Sequence, residues 1–428
     1  MRTFFVLVYK ELRELLTLQM LGPFLAVIVI FVVLGQVISS AGESAGTARA
    51  VLVDGDGTNT SVAIASSLES VGMDLTYIKN GDTDAAVAEY APDGISLFLT
   101  VPEGFENALI SGEPDALQVR TVMTDFSVLG FVGTAQMQAG LAAASQQLAA
   151  TLSAQHGIDV PIALLQQPLR IDESVTIGDR TAATSVDAVS GFIGQQTFFI
   201  PIVLFIVIVF ASQLIATTIA TEKENKTLET LLSYPITRTA LVTAKMVAAG
   251  LVSLLAAGAY MVGMQQYMSG ITTGVSGGAE GASAATQEVM QQLGLVLGPP
   301  DYVMLGLSLF AGILLALAIS IILGAFAESV KAVGALMTPL MALLMVPYLL
   351  TMFVNLSTAP SALRWGLLAI PFTHPFTAAQ NLFLGKEGTV WLGIGYQLAW
   401  FVAFALIAAR IFSSDRILTM KLNLRRKK

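Results

Sequence analysis

The sequence contains no cysteine and only two histidines, His156 and His374, among its 428 residues. The lack of cysteine excludes disulfides, iron–sulfur clusters and thiolate zinc sites, and two histidines argue against a histidine-rich metal centre. Charged residues are also scarce, since they form 12% of the chain, against about 25% in soluble globular proteins. This scarcity excludes a disordered chain and argues against an ordinary soluble enzyme. The net charge of -8 argues against a nucleic-acid partner.

Hydrophobic residues form 54% of the chain, and the mean hydropathy is +0.73. They concentrate in six stretches long enough to cross a bilayer, which takes about 20 residues. The six predicted spans are Met20–Ile38, Phe198–Ala220, Ala240–Met264, Val303–Phe326, Val333–Val354 and Thr389–Phe412. The first is longer than the apolar part of a signal peptide and follows a charged segment, so we interpret it as an uncleaved anchor.

The positions of lysine and arginine predict the orientation of these spans. Fifteen of the 22 basic residues lie in the N-terminal tail, in the links after the second and fourth spans, in the C-terminal tail, or at the adjoining helix ends. Cytoplasmic segments of membrane proteins are enriched in lysine and arginine. Both termini are therefore predicted to be cytoplasmic.

The longest segment between two spans, Ser39–Thr197, is predicted to lie outside the cell. It holds 19 acidic and 5 basic residues, which favours a solubility surface over an attraction for cations. Strand patterns at 48–54, 75–78, 95–101 and 117–123 alternate with helix patterns at 60–71, 82–90 and 102–111. A long helix at 125–154 and an extended section after Pro168 follow. The alternation predicts a small α/β domain inserted between the first and second spans of a mainly α membrane protein.

The remaining boundaries follow from apolar runs and their breaks. Pro371 and Pro375 interrupt an apolar run that is too short to span, which is typical of a re-entrant segment on the outer side. The predicted division is an amphipathic cytoplasmic helix at 1–19, a first span at 20–38, the outer domain at 39–197, five further spans within 198–412, a cytoplasmic helix at 221–234, the re-entrant segment at 363–376, and a basic cytoplasmic tail at 413–428.

The sequence offers little chemistry of its own. It has no phosphate-binding G-x-x-x-x-G-K-[ST] loop, and no set of side chains suggests catalysis or a metal site. Asp54-Gly55-Asp56-Gly57 is interpreted as a turn. The span centres are almost free of ionisable residues, which argues against an ion-coupled carrier. Gln213 and Thr217 form a polar strip in the second span that either bonds to a neighbouring helix or lines a pathway.

The link after the second span carries the strongest signal. Thr221 and Glu224 have the spacing of a helix-capping box, and Pro235 ends the predicted helix. Leu228, Leu231 and Leu232 would form an apolar patch on it, able to rest on lipid, on the protein itself or on a partner. The N-terminal tail has a similar pattern, with an apolar face that predicts a helix along the membrane surface.

Three stretches resemble the permeases of ABC-2-type transporters, and the NatB-like branch in particular. The link reads Glu222-Lys223-Glu224-Asn225-Lys226-Thr227-Leu228-Glu229-Thr230-Leu231-Leu232, followed by Pro235-Ile236-Thr237-Arg238 and Lys245. The outer domain contains Val101-Pro102-Glu103-Gly104-Phe105 followed by Gly112, and the chain starts with a Lys10-Glu11-Leu12 entry. The resemblance extends over the whole chain in order and spacing.

The resemblance implies a permease subunit without its own nucleotide site, in the cell membrane of a prokaryote. It would pair with a second permease copy or a paralogue and with a separate ATPase subunit that binds ATP and Mg²⁺, and it would export substrate. The substrate would be Na⁺ or an amphiphile such as a drug or lipid. The alternative is a non-transporting membrane protein whose acidic outer domain binds an envelope partner or signals.

The resemblance also assigns roles to residues. The coupling contact with the ATPase would involve Glu222, Glu224, Thr227, Leu228, Glu229, Leu231, Leu232, Pro235 and Arg238. The pathway or dimer interface would involve Gln213, Thr217 and Asn355. The outer gate would involve Pro371, His374 and Pro375.

Overall fold

The computed structural model describes residues 49–70, 72–111, 115–123, 126, 138–147, 170–227, 243–255, 258–259, 288–354, 356 and 359–413, with isolated positions between 28 and 39. The predicted amphipathic helix at 1–19, most of the first span and the tail beyond Ser413 lie outside the described residues.

Among the described residues, six strands, three short helices and a further helical stretch at 138–147 form the predicted outer domain. The strands are β1 (Arg49–Asp54), β2 (Asp74–Lys79), β3 (Leu97–Val101), β4 (Ala116–Met123), β5 (Arg170–Ile177) and β6 (Arg180–Ala183). The helices are α1 (Asn59–Ser70), α2 (Thr83–Tyr90) and α3 (Phe105–Ile110). The strands and helices that the sequence predicts as far as Met123 are confirmed, with shifts of a few residues at their ends.

The strands form one mixed sheet in the order β2–β1–β3–β4–β5–β6. β1 is parallel to β2 and β3, and β4 is parallel to β5, whereas β3–β4 and β5–β6 are antiparallel. Successive side chains of a strand point to opposite faces of the sheet. Ala50 and Leu52 therefore join the hydrophobic cluster that contains α1, and Val51 and Val53 join the cluster that contains α2. Helices thus cover both faces of the sheet.

The hairpin β5–β6 was predicted only as an extended section. Its two strands meet at a tight turn in which Gly178 has a φ of 60°, a conformation that glycine adopts without steric cost. Exposed polar residues alternate with apolar ones along β5, so the segment lacks the continuous apolar run that identified β1.

The membrane part consists of long helices and a few short ones. They are α4 (Val186–Glu224), α5 (Thr243–Leu255), α6 (Pro299–Phe326), α7 (Val330–Phe353), α8 (Ser361–Ala369), α9 (Thr373–Phe383) and α10 (Glu387–Ser413). Among the described residues four helical stretches are long and apolar enough to cross a membrane: Ile200–Glu224, Pro299–Phe326, Val330–Phe353 and Glu387–Phe412. They correspond to the predicted second, fourth, fifth and sixth spans, and α5 lies within the predicted third.

The helix α4 joins the outer domain to the membrane without a break. It starts directly after β6, where the Ser185 hydroxyl accepts a hydrogen bond from the Ala188 amide at 3.2 Å. Glu173 of β5 accepts another from the Val186 amide at 3.0 Å. Such contacts satisfy amide donors that the first turn of a helix leaves free. The helix therefore begins inside the outer domain, well before the predicted span start at Phe198.

The predicted re-entrant segment is a pair of short helices, α8 and α9. The Thr373 hydroxyl donates to the Leu367 carbonyl at 2.5 Å and fixes the corner between them. Phe376 of α9 is buried in the main membrane core, with α4, α6 and α7. The second helix continues to Phe383, because its apolar face still finds partners beyond the predicted end at 376.

Candidate functional site

The last turn of α4 lies where the sequence predicted the start of a separate coupling helix. The Thr221 hydroxyl donates to the Thr217 carbonyl at 2.8 Å inside the continuing helix. The helix ends at Glu224, and Lys226 follows with a left-handed φ of 57°, as at many helix C-termini. The predicted capping box at Thr221 is therefore wrong. An internal threonine bonds back to the preceding turn instead of capping a new helix.

Three consecutive charged residues of this turn each contact a different helix. Glu222 forms an ion pair with Lys245 of α5. The Lys223 ammonium donates to the Ala325 carbonyl in the last turn of α6 at 2.7 Å. Glu224 accepts a hydrogen bond at 3.1 Å from the amide of Val330, the first residue of α7. We call Glu222, Lys223, Glu224 and Lys245 the charge clamp.

The signs of these charges match the helix ends that they contact. The C-terminus of a helix carries partial negative charge and free carbonyls, so a lysine is favourable there. The N-terminus carries partial positive charge and free amides, so a carboxylate is favourable. Ser329, at the N-cap of α7, makes no capping hydrogen bond through its own side chain. Glu224 therefore supplies from α4 the cap that α7 lacks locally.

The ion pair of the charge clamp is largely shielded from solvent. The side chain of Lys245 is 15% exposed and that of Glu222 is 18% exposed. The second carboxylate oxygen of Glu222 is buried and has no hydrogen-bond partner among the described residues. Ion pairs withdrawn from water are screened by salt much less than surface pairs.

The rest of the predicted coupling motif is only partly described. Thr227 is exposed, and its hydroxyl donates to the Glu222 carbonyl at 3.1 Å. Leu228, Glu229, Leu231, Leu232, Pro235 and Arg238 lie outside the described residues. Their coupling role stays a prediction.

The predicted pathway residues lie on α4 beside an apolar stripe. Gln213 and Thr217 are half-buried, next to the exposed side chains of Ile206, Phe210 and Leu214. These three residues recur every fourth position and so share one helix face. Asn355 lies outside the described residues.

The predicted gate residues lie where α8, α9 and α10 meet. The His374 ring packs edge-to-face on Tyr396 of α10, with centroids 5.2 Å apart, and its Nε2 lies 3.2 Å from the Leu368 carbonyl of α8. A Cβ at Gly393 would come within 2.9 Å of the His374 Cβ. Pro375 is buried beside α6, and Pro371 is half-buried at the corner. The geometry gives His374 a packing role, and the gate function stays a prediction.

Two features of the spans are not predicted from the sequence. Gln397 of α10 is fully buried and donates to Ser308 of α6 at 3.4 Å, while its amide oxygen has no partner among the described residues. Tyr348 of α7 stacks on Phe205 of α4 and also contacts Phe376. An amide within an apolar run is visible in the sequence, but only the folded chain shows which helix it faces.

The acidic turn after β1 is a structural element of the outer domain. Asp54 is fully buried and accepts hydrogen bonds from the amides of Asp56 and Gly57 and from the hydroxyls of Ser61 and Tyr77. Burial raises the pKa of Asp54, but the four hydrogen bonds outweigh it and hold the pKa below its usual 3.8.

Asp56 ties this turn to the start of α3. Its carboxylate accepts from the amides of Gly104 and Glu106 at 2.9 and 3.0 Å, and Gly104 has a φ of 80°. The stretch Val101–Phe105 thus fits the turn at Asp54–Gly57, which confirms the interpretation of that sequence as a turn. Among the described residues, no group of three or more His, Asp or Glu side chains could hold a metal ion.

A family model described as "ABC-2 family transporter protein" matches residues 14–410 of the chain. The chain belongs to the ABC-2 transporter family. The ABC-2 chain is also similar to the crystal structure of a domain assigned to an ABC type-2 transporter from Thermotoga maritima MSB8. That similarity has 19% sequence identity and a TM-score of 0.30, and it covers 34% of this chain and 98% of the other. No curated protein sequence matches the ABC-2 chain significantly. The family makes this chain the membrane subunit of an ABC transporter.

Proposed function

We propose that this chain is the permease of an exporter of the NatB-like branch, driven by a separate ATPase subunit that docks on its cytoplasmic link. The charge clamp is the observation that carries this proposal. It connects the base of the link to three further helices, so that a force applied to the link reaches the membrane part. A plain connection between two spans needs no such construction.

The ATPase subunit would bind residues 227–238 of the link, with Leu228, Leu231 and Leu232 as its apolar contact. ATP and Mg²⁺ would be bound by that subunit. The clamp residues are turned toward neighbouring helices of this chain, which leaves the following segment for the partner.

The permease would act as a pair, with a second copy or a paralogue, and both termini would be cytoplasmic. The exposed stripe of Ile206, Phe210 and Leu214 supports a contact at α4, since the polar Gln213 and Thr217 lie at its side. An apolar stripe flanked by hydroxyl and amide groups suits a helix interface in a membrane. The transported substrate would be Na⁺ or an amphiphile.

The test is association followed by transport. The chain is co-expressed with an ABC ATPase encoded beside it, and the complex is purified from the membrane. Replacement of Leu228, Leu231 and Leu232 by Asp should abolish co-purification, because three carboxylates cannot enter an apolar contact without loss of hydration. Val62→Asp on the outer domain is the matched control, since Val62 is an equally apolar side chain that is 56% exposed on the opposite side of the membrane.

Transport assays in vesicles that contain the complex then distinguish between the two candidate substrates. ATP-dependent movement of ²²Na⁺ would support sodium export, and movement of a fluorescent lipid would support an amphiphile. An ATPase that binds the triple Asp variant as well as the wild type would overturn the docking site. A chain that neither binds an ATPase nor moves either substrate would favour the non-transporting alternative.

A further inference from the structure

Two residues of the charge clamp flank the cytoplasmic link in the sequence. Glu222 precedes the link and Lys245 follows it, in the first turn of α5. Their ion pair joins the two ends of the segment 223–244 and so closes the base of a loop. With the ion pair formed, a displacement of the link moves α4 and α5 together. Without the ion pair, the two ends of the link can separate and the displacement is not transmitted.

Close packing makes the neighbouring helix ends move together. A Cβ at Gly324 of α6 would lie 3.0 Å from both the Cα and the carbonyl oxygen of Ala216 on α4. The two backbones therefore touch just before the clamp. Ala220, Ala325 and Ala327 are also fully buried at this end. Well-packed interiors transmit strain because they have little room to deform.

The contacts of Lys223 and Glu224 extend this unit to the following span. Both residues reach the connection between α6 and α7, one on each side of it. The last turn of α4 is thus attached to α5, α6 and α7 through three consecutive side chains. Each attachment uses a full charge, which strengthens a hydrogen bond most where solvent is excluded. The Glu222–Lys245 pair is shielded in this way, whereas Glu224 is exposed.

We propose that the charge clamp is the transmission element of the permease, and that its four residues position the link and do not contact the ATPase. The inference rests on the proposed function, and it divides the coupling motif into two parts. Glu222, Lys223, Glu224 and Lys245 connect the link to the spans. Residues from Thr227 onward meet the ATPase.

The first experiment separates association from coupling in the purified complex. The single variants Glu222→Gln and Lys245→Met should each retain the ATPase subunit on co-purification. ATP-driven transport should fall about tenfold in each, the size of effect expected for residues that couple two sites. The exchanged pair Glu222→Lys with Lys245→Glu should recover most of the transport. Leu228→Asp should instead lose the ATPase subunit, because it lies in the predicted contact.

The second experiment restores the clamp covalently and uses the absence of cysteine in the chain. The variant with Glu222→Cys and Lys245→Cys is joined by a short reversible thiol cross-linker in the assembled complex. Transport should be low before cross-linking, rise when the base of the loop is closed and fall again after reduction. Each single cysteine variant, treated in the same way, is the control.

Two results would overturn the proposal. Glu222→Gln and Lys245→Met could lose the ATPase as completely as Leu228→Asp, which would make these residues partner contacts. They could also retain both association and full transport, which would deny the clamp any part in coupling. If the wild-type chain binds no ATPase, the proposed function itself fails. The ion pair is then tested by thermal unfolding. Each single variant should lose stability, and the exchanged pair should recover it. Failure of the exchanged pair to recover stability would contradict the clamp.

Discussion

Asp54 of the outer domain and Gln397 of the membrane part are both buried polar residues, but they are held in different ways. In the outer domain the carboxylate of Asp54 accepts four hydrogen bonds from one turn, one helix and one strand. In the membrane part the amide of Gln397 has one contact to another helix, and its oxygen has no partner among the described residues. A fully satisfied group stabilises one arrangement, while a partly satisfied group contributes little to it. The comparison indicates that Asp54 fixes the turn after β1, while α6 and α10 meet at Gln397 mainly through packing.

The largest expected effect breaks the outer side of this comparison. Asp54→Ala should lower the free energy of unfolding of the outer domain by about 3 kcal/mol, because four donors lose their acceptor and the Ser61 hydroxyl among them is buried. Pulse proteolysis of the full chain, with cleavage scored between residues 49 and 183, measures this stability. Asp74→Ala, at an exposed position at the start of β2, is the control. Equal protease resistance of the two variants would contradict the structural role of Asp54.

The next effect concerns packing between spans. Gly324→Val should destabilise the membrane part by about 2 kcal/mol, since the added atoms meet backbone that cannot turn away. Gly306→Val on the same helix is the matched control, because a Cβ at Gly306 would meet nothing within 4 Å. Thermal unfolding in detergent, followed by the tryptophans, which all lie outside the outer domain, measures the difference. Similar unfolding temperatures for both variants would show that the close contact of α4 and α6 is dispensable.

A smaller effect should appear on acidification. The pKa of Asp54 is lower in the folded domain than its usual value, so ionised Asp54 stabilises the fold above that value. This contribution is lost as the pH falls through the folded pKa. The loss is smaller than for Asp54→Ala, because protonation removes the charge and leaves the side chain in place. Stability is measured by pulse proteolysis between pH 6 and pH 2.5, with a pepsin-type protease for the acidic points. The stability of Asp54→Asn should depend less on pH than that of the wild type.

The smallest effect sharpens the membrane side of the comparison. Gln397→Leu should change stability by less than about 1 kcal/mol, because the substitution removes an unpartnered oxygen together with two long hydrogen bonds, to Ser308 and to the Gly393 carbonyl. Gln397→Glu should be clearly worse, since a buried carboxylate there has no cation beside it among the described residues. Thermal unfolding in detergent compares the two. A loss after Gln397→Leu as large as that of Gln397→Glu would mean that the amide is essential to the packing of α6 and α10.

Much of the fold could be read from local patterns. The buried strand Ala50–Asp54, the first helices of the outer domain and four of the spans follow from apolar periodicity and run length, which depend on neighbouring residues alone. The sequence does not predict the hairpin β5–β6, because polar residues interrupt both strands and β5 is completed by pairing with β4. The apolar run predicts the membrane span from Phe198, close to the observed Ile200, but not the earlier part of α4 from Val186, since a helix that continues out of the membrane carries no apolar signal.

The coupling motif shows the same limit at a single site. Residues 221–224 were interpreted as a helix start because Thr221 and Glu224 have the correct spacing, yet the spacing is the same within a continuing helix. The family match covers the whole link. It does not distinguish the residues that face other spans from those available to a partner.

By itself, the sequence determined that the chain has several apolar helices long enough to cross a membrane, carries an α/β domain in its N-terminal half and belongs with ABC-2 permeases. These properties rest on composition, run length and local motifs. Only the tertiary structure decided that Glu222, Lys223 and Glu224 contact three different helices and that Asp54 and Asp56 brace the outer domain. The physical reason is that these charges depend wholly or in part on groups distant in the chain, such as Tyr77 for Asp54 and Gly104 for Asp56. Such pairings exist only once the helices and strands have packed.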